Sequence, residues 1–290
     1  MAICAGIYAS AQASMSVSYV GNSDLRDHGG DKVGEGGMTL TRLSATYPVV
    51  MKHDSLKRMT FCGIGIEGAY AALHNSHGAQ RYNSGQILDA ALRVTHLRPL
   101  KGKWSLLATL GVGVYCEPSR IMWDCVLASG GAGVSYKFSE ELSAGFGAGL
   151  TNSYGIPMVL PMAYFSWKRK GKFEFDINFL GHLKADVATY LAPKVKLSLT
   201  AIEMGAVSAV VESEGKKKFY SAQLITSGLK INYEPLPRLN LYFSAGVAYG
   251  RTTRLCDRKI KEMFGNFFNS GDKKKFSPAP IISIGATYGI

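Results

Sequence analysis

Residues 172–180 read Lys-Phe-Glu-Phe-Asp-Ile-Asn-Phe-Leu, which puts Phe173, Phe175, Ile177 and Phe179 on one face of an extended strand and Glu174, Asp176 and Asn178 on the other. One wall is apolar and the opposite wall is wet. The same two-residue period recurs along nearly the whole chain, in segments of about ten residues separated by turn chemistry, the pattern of a membrane-spanning β-barrel. No apolar run reaches about 18 residues, which excludes a bundle of transmembrane helices. Alternation also explains why only 47% of the residues are apolar. The 33 Gly, 15 Tyr and 13 Phe fit curved strands and aromatic girdles at the membrane interfaces. Alternation alone does not separate lipid from a protein core, so a soluble β-sandwich is the alternative fold.

No linker or change of pattern divides the 290 residues, so residues 14–290 are read as one all-β domain. Residues 1–13 look like the back half of a signal peptide. A short apolar stretch ends in Ala11-Gln12-Ala13, an A-x-A cleavage pattern, although the charged front is missing. A mature chain would then begin near Ser14. Cys4 is not read as a lipid-attachment site, because Ile3 precedes it. The net charge of +12 raises nucleic acid as a partner, but Lys and Arg are scattered through turns such as Lys168, Arg169, Lys170 and Lys172. The surplus is assigned to anionic headgroups, which makes the bilayer and outer-membrane lipids the partners and excludes nucleic acid. A basic lumen selecting anions is the alternative.

About fourteen strands are expected, an even number that returns both termini to one side. They fall near 15–21, 38–48, 57–72, 84–97, 104–116, 124–138, 141–152, 158–168, 172–180, 184–191, 193–211, 219–234, 238–250 and 279–290. Short periplasmic turns are expected at 98–103, 139–140, 168–172, 192–193 and 234–237. Longer outer loops are expected at 21–37, 73–83, 117–123, 212–218 and 251–278. Within the last, Ile260, Met263, Phe264 and Phe267 recur at helical spacing and predict a short amphipathic helix over 258–268.

The period also assigns faces. Leu239, Leu241, Phe243, Ala245, Val247 and Tyr249 turn to lipid, and their neighbours turn inward. The lumen-facing candidates are Glu67, Asp89, Arg93, Glu174, Asp176, Lys194, Lys196 and Lys230. Glu67, Asp89 and Arg93 come from neighbouring strands and suggest an internal salt-bridge cluster, with a constriction ring as the functional version. Gly131, Gly133, Gly145, Gly147 and Gly149 form a bare inner strip, read either as open lumen or as a place of strong curvature.

His74-Asn75-Ser76-His77 places a His and a Ser on one strand face, an arrangement used by outer-membrane phospholipases, with Asn75 or Asn83 to orient the histidine. Two polar residues in an outer loop are a weak match, and no catalysis is expected. His28, His74 and His77 lack acidic or thiolate companions, so no metal or other cofactor is expected. Cys116 and Cys125 flank an outer loop on adjacent strands, close enough for a disulfide if the register permits. Two unpaired thiols packed as small apolar residues are the alternative.

From residue 83 onward the order of signals resembles a known family. Leu97 to Ala108 reads Leu-Arg-Pro-Leu-Lys-Gly-Lys-Trp-Ser-Leu-Leu-Ala, then comes Tyr154-Gly155-Ile156-Pro157, then Leu160-Pro161 and a strand closing on Trp167. With Tyr190 to Leu199 and Leu239 to Arg251, these resemble a family of bacterial outer-membrane β-barrels known only as a domain of unknown function. The resemblance covers the last two thirds of the chain and implies fold and location, the outer membrane of a Gram-negative envelope, with no active-site residues. It also implies the barrel-assembly machinery as a partner. The final Tyr288-Gly289-Ile290 departs from the aromatic ending usual in assembly signals. The function expected is a porin-like passive pore or an envelope structural protein, with a transporter of hydrophobic molecules as the alternative.

Overall fold

The computed structural model describes residues 12–54, 58–81, 83–151, 158–169, 171, 173–179, 183–213, 215–257 and 274–289. In chain order the strands are β1 (Gln12–Arg26), β2 (Lys32–His53), β3 (Met59–Ser76), β4 (Gln86–Pro99), β5 (Trp104–Cys116), β6 (Val126–Lys137), β7 (Leu142–Thr151) and β8 (Met158–Arg169). There follow β9 (Glu174–Phe179), β10 (Leu183–Ala192), β11 (Val195–Ser213), β12 (Lys216–Leu236), β13 (Leu239–Ala248), β14 (Thr252–Asp257), β15 (Lys274–Phe276) and β16 (Ala279–Gly289). Strands β1 to β13 pair antiparallel in sequence order, β13 pairs with β16, and β16 returns to β1 from Gln12↔Gly289 to Val20↔Ile281. This is a closed ring of fourteen antiparallel strands. The candidate leader lies outside the described residues except for Gln12 and Ala13, which belong to β1.

The ring wears its apolar residues outside. Leu110 is 72% exposed, Phe146 68% and Ile284 57%, values that water would penalise and hydrocarbon favours. Leu241, Phe243 and Val247 are exposed on β13 as the alternation requires. Aromatic side chains gather at the end where β1 begins, here called the inner end: Trp104 stacks edge-on with Tyr136 and Tyr136 with Phe138, while Trp167 lies flat on Phe175. The wall is therefore that of a transmembrane barrel.

Strand length is uneven, and this is where the structure departs from the sequence reading. Strands β2, β3, β11 and β12 have 22, 18, 19 and 21 residues, against about 10 needed to cross hydrocarbon at the usual tilt. Their excess stands at the outer end, where the segments expected to be loops at 21–37 and 212–218 are mostly strand. The β1–β2 connection shrinks to 27–31, and β11 and β12 pair to their ends at Ser213↔Lys216, with Gly215 at φ +70°. Above the lipid a strand no longer needs an apolar outer face, so polar sequence continues the ladder.

The long segment 251–278 is likewise partly wall. The inner part of β12 pairs with β13 and its outer part, Lys218 to Gln223, pairs with β14. Likewise β1 pairs with β16 below and with β15 at Leu25↔Phe276, while β14 and β15 pair at Thr252↔Lys275. Strand β14 thus prolongs β13, and β15 leads into β16, each after a short break. The helix predicted over 258–268 lies outside the described residues.

Glycine sets the bends. A Cβ on Gly145 would lie 2.2 Å from the Val134 carbonyl oxygen, and one on Gly246 would lie 2.0 Å from that of Ser227. Both mark strand pairs, β6–β7 and β12–β13, whose backbones approach too closely for any side chain, which favours curvature for the glycine strip. The space beside the strip, lined by Leu107, Thr109 and Tyr164, is a cavity of about 40 Å³, little more than the share of one water. Gly246→Val should cost roughly 2 to 3 kcal/mol or prevent closure. Urea unfolding in vesicles, followed by heat-modifiable migration, measures it; a variant as stable as the parent would contradict the close approach.

Candidate functional site

The interior has two storeys. In the middle of the strands it is charged. Arg93 Nη1 donates to Glu67 Oε1 at 3.0 Å between β4 and β3. Lys196 on β11 bonds Glu174 on β9, and Lys184 lies 3.3 Å from Asp186 on β10. Asp176 sits opposite Asp186 in the β9–β10 register, and Lys184 faces Asp176, Asp186 and Glu203 together. Lys230 stands 3.8 Å above the Tyr242 ring. The alternation of β2 turns Arg42 inward as well, and it reaches across to β11, where a Cβ on Gly205 would lie 2.8 Å from its Nη2. Arg42 faces Glu203 and Asp89.

These side chains are not dry. Arg93 keeps 22% of its side-chain surface exposed, Lys184 30% and Glu67 33%. Inside a ring whose outer wall meets lipid, that exposed surface faces the interior of the ring. The charges are balanced by neighbours, so the interior is cross-linked.

The outer storey is dry. Val20, Leu40, Ala71, Ile87, Val207 and Tyr220 belong to one core cluster and are each at most 2% exposed. The cluster forms because the outer half of β11 leaves the line of β10 and leans across the ring, meeting β5 in a parallel pairing at Val210↔Cys116. Several polar contacts fix it. The Ser208 N–H donates to Asp89 Oδ2 at 3.2 Å, and the Tyr220 hydroxyl donates to Asn83, which bonds Asn75 at 2.6 Å. Arg120 pairs with Glu212 and Lys217 with Asp124. Arg251, buried at the β13–β14 break, donates to the Gly36 carbonyl at 2.9 Å and stacks 3.8 Å over Phe276.

Of the eight lumen candidates, Glu67, Asp89, Arg93, Glu174, Asp176, Lys196 and Lys230 lie on the faces just described. Lys194 does not. It sits exposed in the turn at 193–194 and donates to the Pro235 carbonyl at 3.3 Å, because β11 begins at Val195, two residues later than the expected start at 193. Cys116 and Cys125 are free thiols, buried with Cys256, Val210 and Phe219. The Cys125 thiol donates to the Arg120 carbonyl at 3.7 Å, so the pair packs as small apolar residues under the leaning strand.

His74 bonds Thr39 at 3.1 Å, while Ser76 bonds His77 at 3.3 Å. Asn75 and Asn83 bond each other and backbone, so they frame the loop and do not orient His74. No group of three potential metal ligands occurs among the described residues. The sequence reading missed Arg42, Lys184, Asp186, Glu203 and Arg251. Lys184 and Asp186 carry a legible signal, since Leu-Lys-Ala-Asp-Val alternates cleanly, whereas Arg42 shares its face with Leu40.

Comparison with known proteins adds family membership. The profile of a family described as a domain of unknown function, DUF6268, matches residues 7–289. No curated protein matches the chain. Among solved structures, an outer membrane channel from Pseudomonas putida F1 is similar at 9% identity, with 98% of this chain and 97% of that one covered and a TM-score of 0.43. NanC porin is similar at 8% identity, with 96% and 100% covered and a TM-score of 0.38. A TodX monoaromatic hydrocarbon channel mutant is similar at 10% identity, with 97% and 90% covered and a TM-score of 0.36. The architecture stands on its own strand register, and these likenesses are too slight to add to it.

Removing one charge should leave its partners stranded. Lys184→Met, which strips the cation facing three carboxylates, should lower stability by about 2 kcal/mol, discounted from a fully buried pair for its partial exposure. Arg93→Met should cost about 1 kcal/mol. Urea midpoints in vesicles give both values, and equal midpoints for Lys184→Met and the parent would contradict the pairing.

Proposed function

The chain belongs to the DUF6268 family, and we propose that it is an outer-membrane channel protein, a passive and non-enzymatic conduit with a narrow outer mouth. The carrying observation is the exposure of Glu67, Arg93 and Lys184 inside a ring whose outer face suits hydrocarbon, because hydrated charges within such a wall line an aqueous chamber. The apolar belt and closed ladder support the membrane assignment. A wall of antiparallel strands of this kind belongs in an outer membrane, with the short turns on the periplasmic side. The dry storey under the leaning β11–β12 hairpin supports a constricted mouth. Charges of both signs in the chamber support passage of small polar solutes without strong selection between anions and cations.

The test is single-channel recording in planar bilayers, with the parent and a shortened barrel side by side. In the shortened form residues 207–222 are replaced by Asn-Gly, joining Ala206 to Gln223, which are already paired across β11 and β12. The parent should give small conductance steps, and the shortened form steps several-fold larger. Silence from both would make the protein a structural barrel and end the channel reading; equal steps would show that the hairpin does not narrow the mouth.

A further inference from the structure

The inner rim carries a surface that the lumen does not explain. Among the described residues at 52–58, 98–103, 137–141, 169, 193–194 and 234–238, nine Lys and Arg side chains face four carboxylates. At the outer end several cations are neutralised in place: Arg26 and Lys32 by Asp24, Arg120 by Glu212 and Lys217 by Asp124. The described outer-end residues carry eleven Lys and Arg against eight carboxylates, so the basic surplus is the larger at the inner rim.

It is most concentrated at the turn between β4 and β5. Arg98, Lys101 and Lys103 are exposed there, and none of them is paired with a carboxylate among the described residues. Lys103 donates to the Phe138 carbonyl at 3.2 Å. The nearby carboxylate Glu140 is taken by Lys137 at 2.7 Å, whose hydrogen bond holds it below the usual carboxylate range. The turn is also held in shape. Arg58 Nη1 donates to the Leu100 carbonyl at 2.7 Å and the Gly102 carbonyl at 2.9 Å, while Asp54 holds its other arm at 2.7 Å. Beside the three cations runs the aromatic ladder, with 5.1 Å between the Trp104 and Tyr136 centroids and 4.9 Å between Tyr136 and Phe138. Trp104 and Phe138 are 40% and 53% exposed on the lipid side.

A fixed group of cations directly above flat apolar rings, at the depth where the wall leaves hydrocarbon, matches a molecule with a phosphate at one end and chains at the other. We propose that this corner of the barrel binds an anionic phospholipid of the inner leaflet, with Arg98, Lys101 and Lys103 on the phosphate and the Trp104, Tyr136 and Phe138 rings against the acyl chains. The proposal rests on the membrane assignment above and not on conduction. Arginine supplies the directional part, since its planar fork meets phosphate oxygens in pairs. The lysines supply charge.

The purified barrel is reconstituted in phosphatidylcholine vesicles containing about a fifth phosphatidylglycerol, extracted, and its retained lipid counted by native mass spectrometry. Phosphatidylglycerol should be enriched about threefold over the bulk mixture, and the triple variant Arg98→Gln, Lys101→Gln, Lys103→Gln should return it to the bulk ratio. Arg98→Lys alone should keep part of the enrichment. An outer-rim control of equal charge, Lys216→Gln, Arg254→Gln, Lys275→Gln, should leave retention unchanged. Heat-modifiable migration confirms that each variant is folded. Persistent enrichment in the inner triple variant would overturn the site, and an equal loss in the outer control would show attraction by net charge alone. A barrel silent in bilayers yet enriched in phosphatidylglycerol would lose the channel reading and keep this one.

Discussion

Hydrocarbon offers no hydrogen bonds, and each unsatisfied backbone group in it costs several kcal/mol, so a sheet that crosses a membrane has to close on itself. Here the closure is the pairing of β1 with β16, nine residues long, and every other feature of the wall follows from it. Closing fourteen strands turns one face of each outward, which is why the apolar residues alternate. It also brings neighbouring strands close, and Gly145, Gly147, Gly228 and Gly246 accept an approach of neighbouring backbone that a Cβ would block.

The two storeys of the interior answer to different surroundings. Within the lipid the outer face is already apolar, so an apolar inner face as well would leave nothing to hold the polar side chains of the alternate positions. Charges go inward and pair, as Glu67 does with Arg93 and Glu174 with Lys196. Above the lipid the outer face meets water, and the ordinary rule returns: β11 and β12 bring Val207, Ala209 and Tyr220 against Val20, Leu40 and Ile87 as a soluble domain would. One chain thus folds by membrane rules below and by aqueous rules above.

This change of rules also decides what could be read in advance. The strands that cross the lipid were legible because their outer positions must be apolar, and β13, with Leu241, Phe243 and Val247 outward, is an example. Their outer extensions were not, since a strand such as Ser23 to Arg26 facing Lys32 to Gly36 is as polar as a loop and pairs for reasons that no period records. Inward charges follow from alternation once the register is fixed, which places Arg93 and Lys230 and misplaces Lys194, where the strand starts two residues late. The leaning of β11 onto β5 had no local signal at all. It depends on contacts such as Ser208 with Asp89, 119 residues away in the chain.

The seam between the first and last strands carries a temporal consequence. Its partners, such as Ser18 and Ser283, are 265 positions apart, the most distant kind of contact a chain of this length can make, and such contacts are paid for in loop entropy before they return anything. Until β16 has paired with it, β1 has no neighbour on that side and remains a sticky margin able to join a stranger. Closure is therefore governed by β16, and a chain in which it has not paired is an open ribbon and not a smaller cylinder.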